Sequence, residues 1–378
     1  MKKSILFATS AIIAAGAVAT SAQAIEVELY GQVNKAVVGA NIENDGLATD
    51  LSIVDNDISS TRFGLRGNQQ LDNGLTASVL LEGEFEDNPS DSAILADAQG
   101  GASNDVAGSN WLTRHARVGL GGQWGALFVG RTSTASDGVA EIDLSAAQDV
   151  STSAADRIGG GVTINGQALA NYADNIDGMG FTNGNDQHNA DRRNVVRFDT
   201  PIVNGVQGRI AYAQGQDIDL AVLYNNTFGG FEVAGGASYV SYGQRPTVAS
   251  SSGLPDNAYA VTGSVKHDSG FSGTVSYGRR NIEQKAFPRE DPTALYVKAG
   301  YQYDNTGFAI DYTSNSDAMT TAAAAPTNSE LEAWGAYVQR DLGHGVSTSA
   351  FFKRIGTDLN GVENPDLDVF GVNMRVKF

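Results

Sequence analysis

Along residues 367–378 apolar and polar positions alternate strictly: Phe370, Val372, Met374, Val376 and Phe378 share one parity, and Asn373, Arg375 and Lys377 share the other. Successive side chains of a β-strand point to opposite faces of the sheet, whereas a helix would mix the two sets. A strand of roughly nine to eleven residues with one oily and one polar face has the length and polarity to cross a bilayer in a tilted barrel. An amphipathic edge strand of a soluble sandwich has the same pattern, so the rest of the chain must decide. The pattern recurs. It predicts strands at 27–41, 59–71, 75–86, 111–121, 125–133, 193–200, 206–216, 217–227, 230–243, 257–268, 271–281, 293–304, 307–315, 330–341, 345–356 and 367–378, sixteen in all. Short turns follow the even-numbered strands, as at Leu71-Asp72-Asn73-Gly74-Leu75, where Asn-Gly supplies the positive φ angles of a tight hairpin. The alternate connections are mostly long and polar; the tight one near Gly215-Gln216 is the exception, and the stretch from 132 to 192 is the longest.

Composition narrows the choice. Residues 1–24 have a basic start (Lys2, Lys3), an apolar stretch from Ile5 to Val18 and the ending Ala22-Gln23-Ala24, which together predict a cleavable secretory signal. Its removal takes away two lysines and no acid, so the formal charge goes from −18 to −20. Such an acidic chain is repelled by nucleic acid and by anionic membrane surfaces. Cysteine is absent, so neither disulfides nor thiolate metal sites hold the exported chain together. No later stretch offers about eighteen continuous apolar residues for a spanning helix. A chain of this pattern can occupy a membrane only as a closed barrel, which pairs every backbone group in hydrocarbon. Residues 25–378 form a single domain on this reading, an all-β transmembrane antiparallel barrel.

Val27-Glu28-Leu29-Tyr30-Gly31, Ser60-Thr61-Arg62-Phe63-Gly64-Leu65-Arg66-Gly67, Arg114-His115-Ala116-Arg117-Val118-Gly119-Leu120, Val129-Gly130-Arg131 and Asn194-Val195-Val196-Arg197-Phe198-Asp199-Thr200-Pro201 stand in order along the chain, which closes on Phe378. Together these segments resemble the general porins of Gram-negative outer membranes. Two features depart from that family. Arg117 stands where an aromatic is expected, and 132–192 is long for an inward-folded third loop and lacks its Pro-Glu-Phe-Gly-Gly stretch. The resemblance implies short periplasmic turns, long extracellular loops, a homotrimer, and a pore for passive passage of small hydrophilic solutes and ions, with no cofactor. It also implies contact with outer-membrane lipid and lipopolysaccharide, and recognition of Phe378 by the barrel-assembly machinery as an assembly signal. A substrate-selective porin with a solute site in the lumen remains an alternative, as does a barrel serving mainly as adhesin or receptor.

The candidate constriction follows from position and charge. Strand parity puts Arg62, Arg66 and Arg114 on the polar face, with Arg193 and Arg197 on the same face of the sixth strand and Glu82 among them. Guanidiniums stay charged in proteins. The 132–192 segment begins with Asp137, Glu141, Asp143 and Asp149, and the expectation is that Glu141 and Asp143 oppose the arginines across the waist. The acidic total suggests a mild cation preference. An enzyme would need a nucleophile or activated water beside an oriented base. The four histidines offer no metal-ligand spacing, His115 and His267 fall off the polar parity, and no G-x-S-x-G, H-E-x-x-H or Walker A motif occurs.

Overall fold

The computed structural model describes residues 25–43, 51–93, 95, 110–164, 166–173, 192–213, 217–243, 256–282, 290–318 and 328–378. The signal segment at 1–24 and His188 lie outside the described residues. The strands are β1 (Glu26–Ile42), β2 (Leu51–Asp55), β3 (Arg62–Gln70), β4 (Thr76–Glu86), β5 (Asn110–Gly122), β6 (Gly125–Ser133), β7 (Thr163–Ile164), β8 (Gln167–Ala168), β9 (Arg192–Asp199) and β10 (Val206–Ala213). They continue as β11 (Asp217–Phe228), β12 (Phe231–Ser241), β13 (Asn257–His267), β14 (Phe271–Asn281), β15 (Thr293–Tyr303), β16 (Thr306–Ser316), β17 (Ser329–Gly343), β18 (Val346–Leu359), β19 (Val362–Glu363) and β20 (Leu367–Lys377).

Neighbours in sequence pair antiparallel, and β20 pairs with β1 from Gln32↔Lys377 to Ile42↔Leu367, so the sheet closes on itself. Of its 18 strands, β2 and β19 are short additions, which leaves sixteen around a closed barrel. Closure removes the unpaired strand edges that an open sheet would present. The backbone of Phe378 exchanges two 3.0 Å hydrogen bonds with Gly31 at the seam. Large apolar side chains stand on the outside: Leu29, Val33, Leu65, Val118, Val222, Ile310, Trp334 and Val372 are among the exposed ones. The wall is thus inverted relative to a water-soluble barrel, as a hydrocarbon solvent requires.

The predicted sixteen strands are all present, with adjusted ends. The second begins at Arg62 instead of 59, because Asp57–Ser59 form a 3-10 turn capped by Asn56. The polar stretch expected to be wholly loop contributes β2, which pairs with β1 from Lys35↔Asp55 to Gly39↔Leu51. One parity is overturned. Between β4 and β5 the register slips, Glu82 facing His115 and Gly83 facing Thr113, so Arg114 is the extra residue of a β-bulge. A bulge inserts one residue and swaps the faces beyond it. His115, expected off the lumen face, therefore points inward to Thr132 at 3.0 Å.

After β6 the chain turns into the barrel and runs as a belt round the inner wall. Ser136 bonds Asp219 on β11, and Val139, Ile142 and Leu144 pack on Ala211, Ala221, Leu223 and Ala234. Further on, Leu144 N–H donates to Ser264, Asp143 meets Lys298 on β15, and Asp149 meets Arg375 on β20. The belt then enters the main buried cluster, where Ile158, Val162, Ile164, Leu169 and Tyr172 join Val38, Ile42, Leu331, Ile355 and Val369. At this end Gly160 and Gly161 press against the backbone of Asp91 and Ser92, where any Cβ would collide. Among the described residues the belt's anchoring contacts run along the wall from β10 round to β1.

Candidate functional site

The wall of β3 to β6 and β9 carries the arginines. Arg114, inward as its parity predicts, reaches Glu82 at 2.7 Å through Nε and Glu84 through Nη1, and also bonds Ser60 at 3.0 Å. Both carboxylates are almost fully buried, with side chains 8% and 2% exposed, and the single Arg114 charge balances only one of the two. The Tyr30 hydroxyl donates to Glu82 at 2.7 Å and the Ser60 hydroxyl to Glu84 Oε2 at 2.6 Å, while the buried Glu84 Oε1 meets no donor among the described residues. Arg62 stands beside them with only a 3.8 Å approach to Glu82 and a side chain 23% exposed. Its charge is the less compensated of the two.

Arg66 is elsewhere. It forms a two-pronged pair with Glu28 at 2.9 and 3.0 Å, near the start of β1, with its guanidinium 5.0 Å from the Tyr30 ring centre. Both members are exposed, so this pair adds little stability. On β9, Arg193 contacts the buried Asp217 at 3.1 Å. Arg197 pairs with Asp199 at 2.9 Å and donates to the Ser133 carbonyl at 2.8 Å. Arg192, adjacent to Arg193, acts electrostatically on Arg62, His115 and Glu141, and its buried Nε meets no acceptor among the described residues.

The two acids expected on the belt have different fates. Asp143 is an anchor: it accepts from Lys298 Nζ at 2.8 Å, from Thr274 at 2.6 Å and from the Ser145 N–H at 2.8 Å. Burial alone would raise its carboxyl, but the Lys298 ammonium and these hydrogen bonds hold it below the usual aspartate range. Its charge is spent on fixing the belt. Glu141 is exposed, and the charges that act on it are those of Arg157, Asp137, Arg192 and Arg114. Beside it the belt borders a cavity of about 300 Å³ lined by Gly138, Gln148, Thr152 and Tyr296. Asp149 is paired with Arg375, and Arg157 with Asp57 at 2.9 Å, so a second tie joins the belt to the inward 3-10 turn.

Sequence parity missed three residues. Arg117 lies inward because of the bulge, its guanidinium 4.2 Å from the centre of the buried Phe128 ring. Arg209 approaches Asp199 at 3.8 Å, and Arg192 sits beyond Arg193 at the outer end of β9. Among the described residues no group of three or more His, Asp or Glu side chains is arranged to hold a metal. His267 bonds Ser269 beside a short turn, and His344 occupies another with φ of 52°.

A sixteen-stranded barrel leaves an interior too wide for side chains to fill, so water and small solutes can pass. Comparison with known proteins agrees. The anion-selective porin of Comamonas acidovorans superposes with TM-score 0.59 at 17% identity, over 94% of this chain and all of that one. The outer-membrane channel DcaP of Acinetobacter baumannii gives 0.60 at 12%, covering 95% and 99%. The trimer form of OmpT, an outer membrane protein of Vibrio cholerae, gives 0.54 at 14%, covering 94% and 100%. These likenesses show the fold. Among curated proteins there is no sequence match. The model of the Gram-negative porin family matches residues 8–360, so the chain belongs to the Gram-negative porins and is a multi-pass outer-membrane channel for small solutes.

Proposed function

We propose that the channel passes small hydrophilic solutes passively and favours anions over cations at its waist. The observation that carries this reading is the pairing pattern. Asp143 is bound to Lys298 and Asp149 to Arg375, and Glu82 and Glu84 share Arg114 with Arg62 beside them, whereas Arg117 and Arg192 have buried guanidinium nitrogens with no acceptor among the described residues. Paired charges act over distance as weak dipoles, and single charges dominate the field of a narrow passage. The total charge of the chain suggested the opposite preference, but outer acids are screened over roughly 8 Å at physiological ionic strength. The waist arginines stand directly on the path.

Glu141 is the exposed carboxylate opposing them, so Glu141→Gln raises the anion preference. Arg192→Gln and Arg62→Gln lower it. Reversal potentials in a salt gradient across a planar bilayer measure both, and equal potentials in all three variants would remove these side chains from the conduction path. No step of bond making is needed, and the channel is proposed to act without catalysis or cofactor. A homotrimer is proposed in line with the trimer form of Vibrio cholerae OmpT. Lipid and lipopolysaccharide are the proposed neighbours of the apolar outer face.

Phe378 is proposed as the signal for the barrel-assembly machinery. Its ring lies against Gly31 at the seam and its side chain is on the outside, 62% exposed. Phe378→Asp places a charge at the hydrocarbon boundary of the closing strand. The expected result is a severalfold drop in heat-modifiable barrel recovered from outer membranes, with normal single-channel conductance in the molecules that do assemble. Wild-type recovery would end the assembly role.

A further inference from the structure

We propose that Arg117, with Arg197 and Arg209 around Phe128, forms a seat for a small oxyanion on the inner wall of the barrel. The bulge at Arg114 is what makes it, because it turns Arg117 inward. The Arg117 and Arg197 guanidiniums lie 4.2 and 5.1 Å from the same ring centre. Phe128 is 1% exposed beneath them. Arg209, its side chain 8% exposed, stands at the same Asp199 as Arg197. Two guanidiniums therefore contact one carboxylate, whose charge also acts on Arg117. Arg197 donates through its terminal nitrogens to Asp199 and to the Ser133 and Thr134 carbonyls, leaving its Nε without a hydrogen bond, and Arg209 donates to Gln207 at 3.3 Å. Arg117 is less satisfied: its Nε and Nη1 are both buried and meet no acceptor among the described residues.

A buried charged donor without an acceptor is costly, and contact with an aromatic face compensates only part of that cost. An oxyanion repays it. Phosphate or carboxylate oxygens accept several directed hydrogen bonds from a guanidinium, whereas chloride offers no such geometry. The surrounding charges agree: Arg192, Arg114, Arg117 and Arg197 all act on His115, while Asp199 acts on Arg117 and Arg209, and Asp137 on Arg209. The seat rests on the anion-preferring reading of the waist and adds a dwell point to it.

The test is single-channel conductance against concentration, in potassium phosphate and in potassium chloride, for the wild type, Arg117→Gln and Arg117→Lys. Heat-modifiable gel migration confirms that each barrel assembles. The expected result is saturation in phosphate but not in chloride, with half-saturation moved up about tenfold in Arg117→Gln through loss of charge-assisted hydrogen bonds. Arg117→Lys keeps a cation over Phe128, falls between, and carries the test if the glutamine variant fails to assemble. A potassium acetate series that also saturates widens the ligand to carboxylates; one that does not restricts it to tetrahedral anions. Linear phosphate conductance in the wild type, or saturation that survives in both variants, overturns the seat. Failure of the underlying reading is distinguishable, because it appears as a cation-selective reversal potential.

Discussion

Arg114→Gln is expected to lower the stability of the barrel and to swing its selectivity toward cations. The residue is a single cation serving two buried carboxylates, Glu82 and Glu84, and its own side chain is only 11% exposed. Removing one partner of a buried pair costs about 3–5 kcal/mol, because the charge left behind has lost both water and counterion. Glutamine keeps one hydrogen-bonding arm and no charge. Glu82 and Glu84 then become net negative groups on the passage, beside Arg62, which offers only a 3.8 Å contact. Thermal unfolding in detergent reads the first effect and reversal potentials the second. A variant as stable and as selective as the wild type would show that Arg114 neither holds the wall nor shapes the field. The triple change Arg114→Gln, Glu82→Gln, Glu84→Gln restores most of the stability, since no charge is then stranded.

The belt should come loose when Lys298 loses its charge. Lys298 is 2% exposed, and its ammonium meets Asp143 at 2.8 Å, a contact spanning 155 residues of sequence. Lys298→Met leaves the Asp143 carboxylate with only Thr274 and the Ser145 N–H. The expected cost is again about 3–5 kcal/mol, and the double variant Asp143→Ala, Lys298→Met recovers much of it. The single variant is expected to show noisy, larger conductance as the belt detaches from β14 and β15. Quiet wild-type conductance would place the belt's restraint elsewhere. Acid acts at the same point. The Asp143 carboxyl is held below its unfolded value near 4, so its stabilisation is complete above that value and is lost as pH falls through the lower folded value. Belt loosening in the wild type therefore requires acid stronger than ordinary aspartate titration.

The barrel was legible because its physics is repetitive. Each strand writes the same alternation, and each tight turn needs residues tolerant of positive φ, such as Gly74 and Asn204-Gly205. Arg62, Arg114 and Arg197 were legible for the same reason, since lumen and lipid faces demand opposite polarity. What parity could not deliver was the geometry after the bulge. A signal for it exists: the exposed apolar residues of β5 change from odd at Trp111 to even at Val118 and Leu120, which requires one inserted residue between them. That switch would have placed His115 and Arg117 inside. The course of the belt was not legible at all, because its ties are long-range and made by common residues such as Asn56, Ser151, Gln339 and Ser347. An acidic sequence such as that from Asp137 to Asp149 does not state which carboxylate will find a lysine. Glu141 and Asp143 differ by two positions, yet one faces water and the other is clamped.

The reversal potential of the wild-type channel in a gradient of potassium chloride decides whether the arginines set the passage's ion preference. With the waist field set by Arg62, Arg117 and Arg192 against Glu141, the predicted potential has the sign for chloride as the more permeant ion, and it grows as the salt is diluted and screening weakens. A potential of the opposite sign, strengthening on dilution, would mean that the acids of the chain, and not the arginine wall, govern what passes.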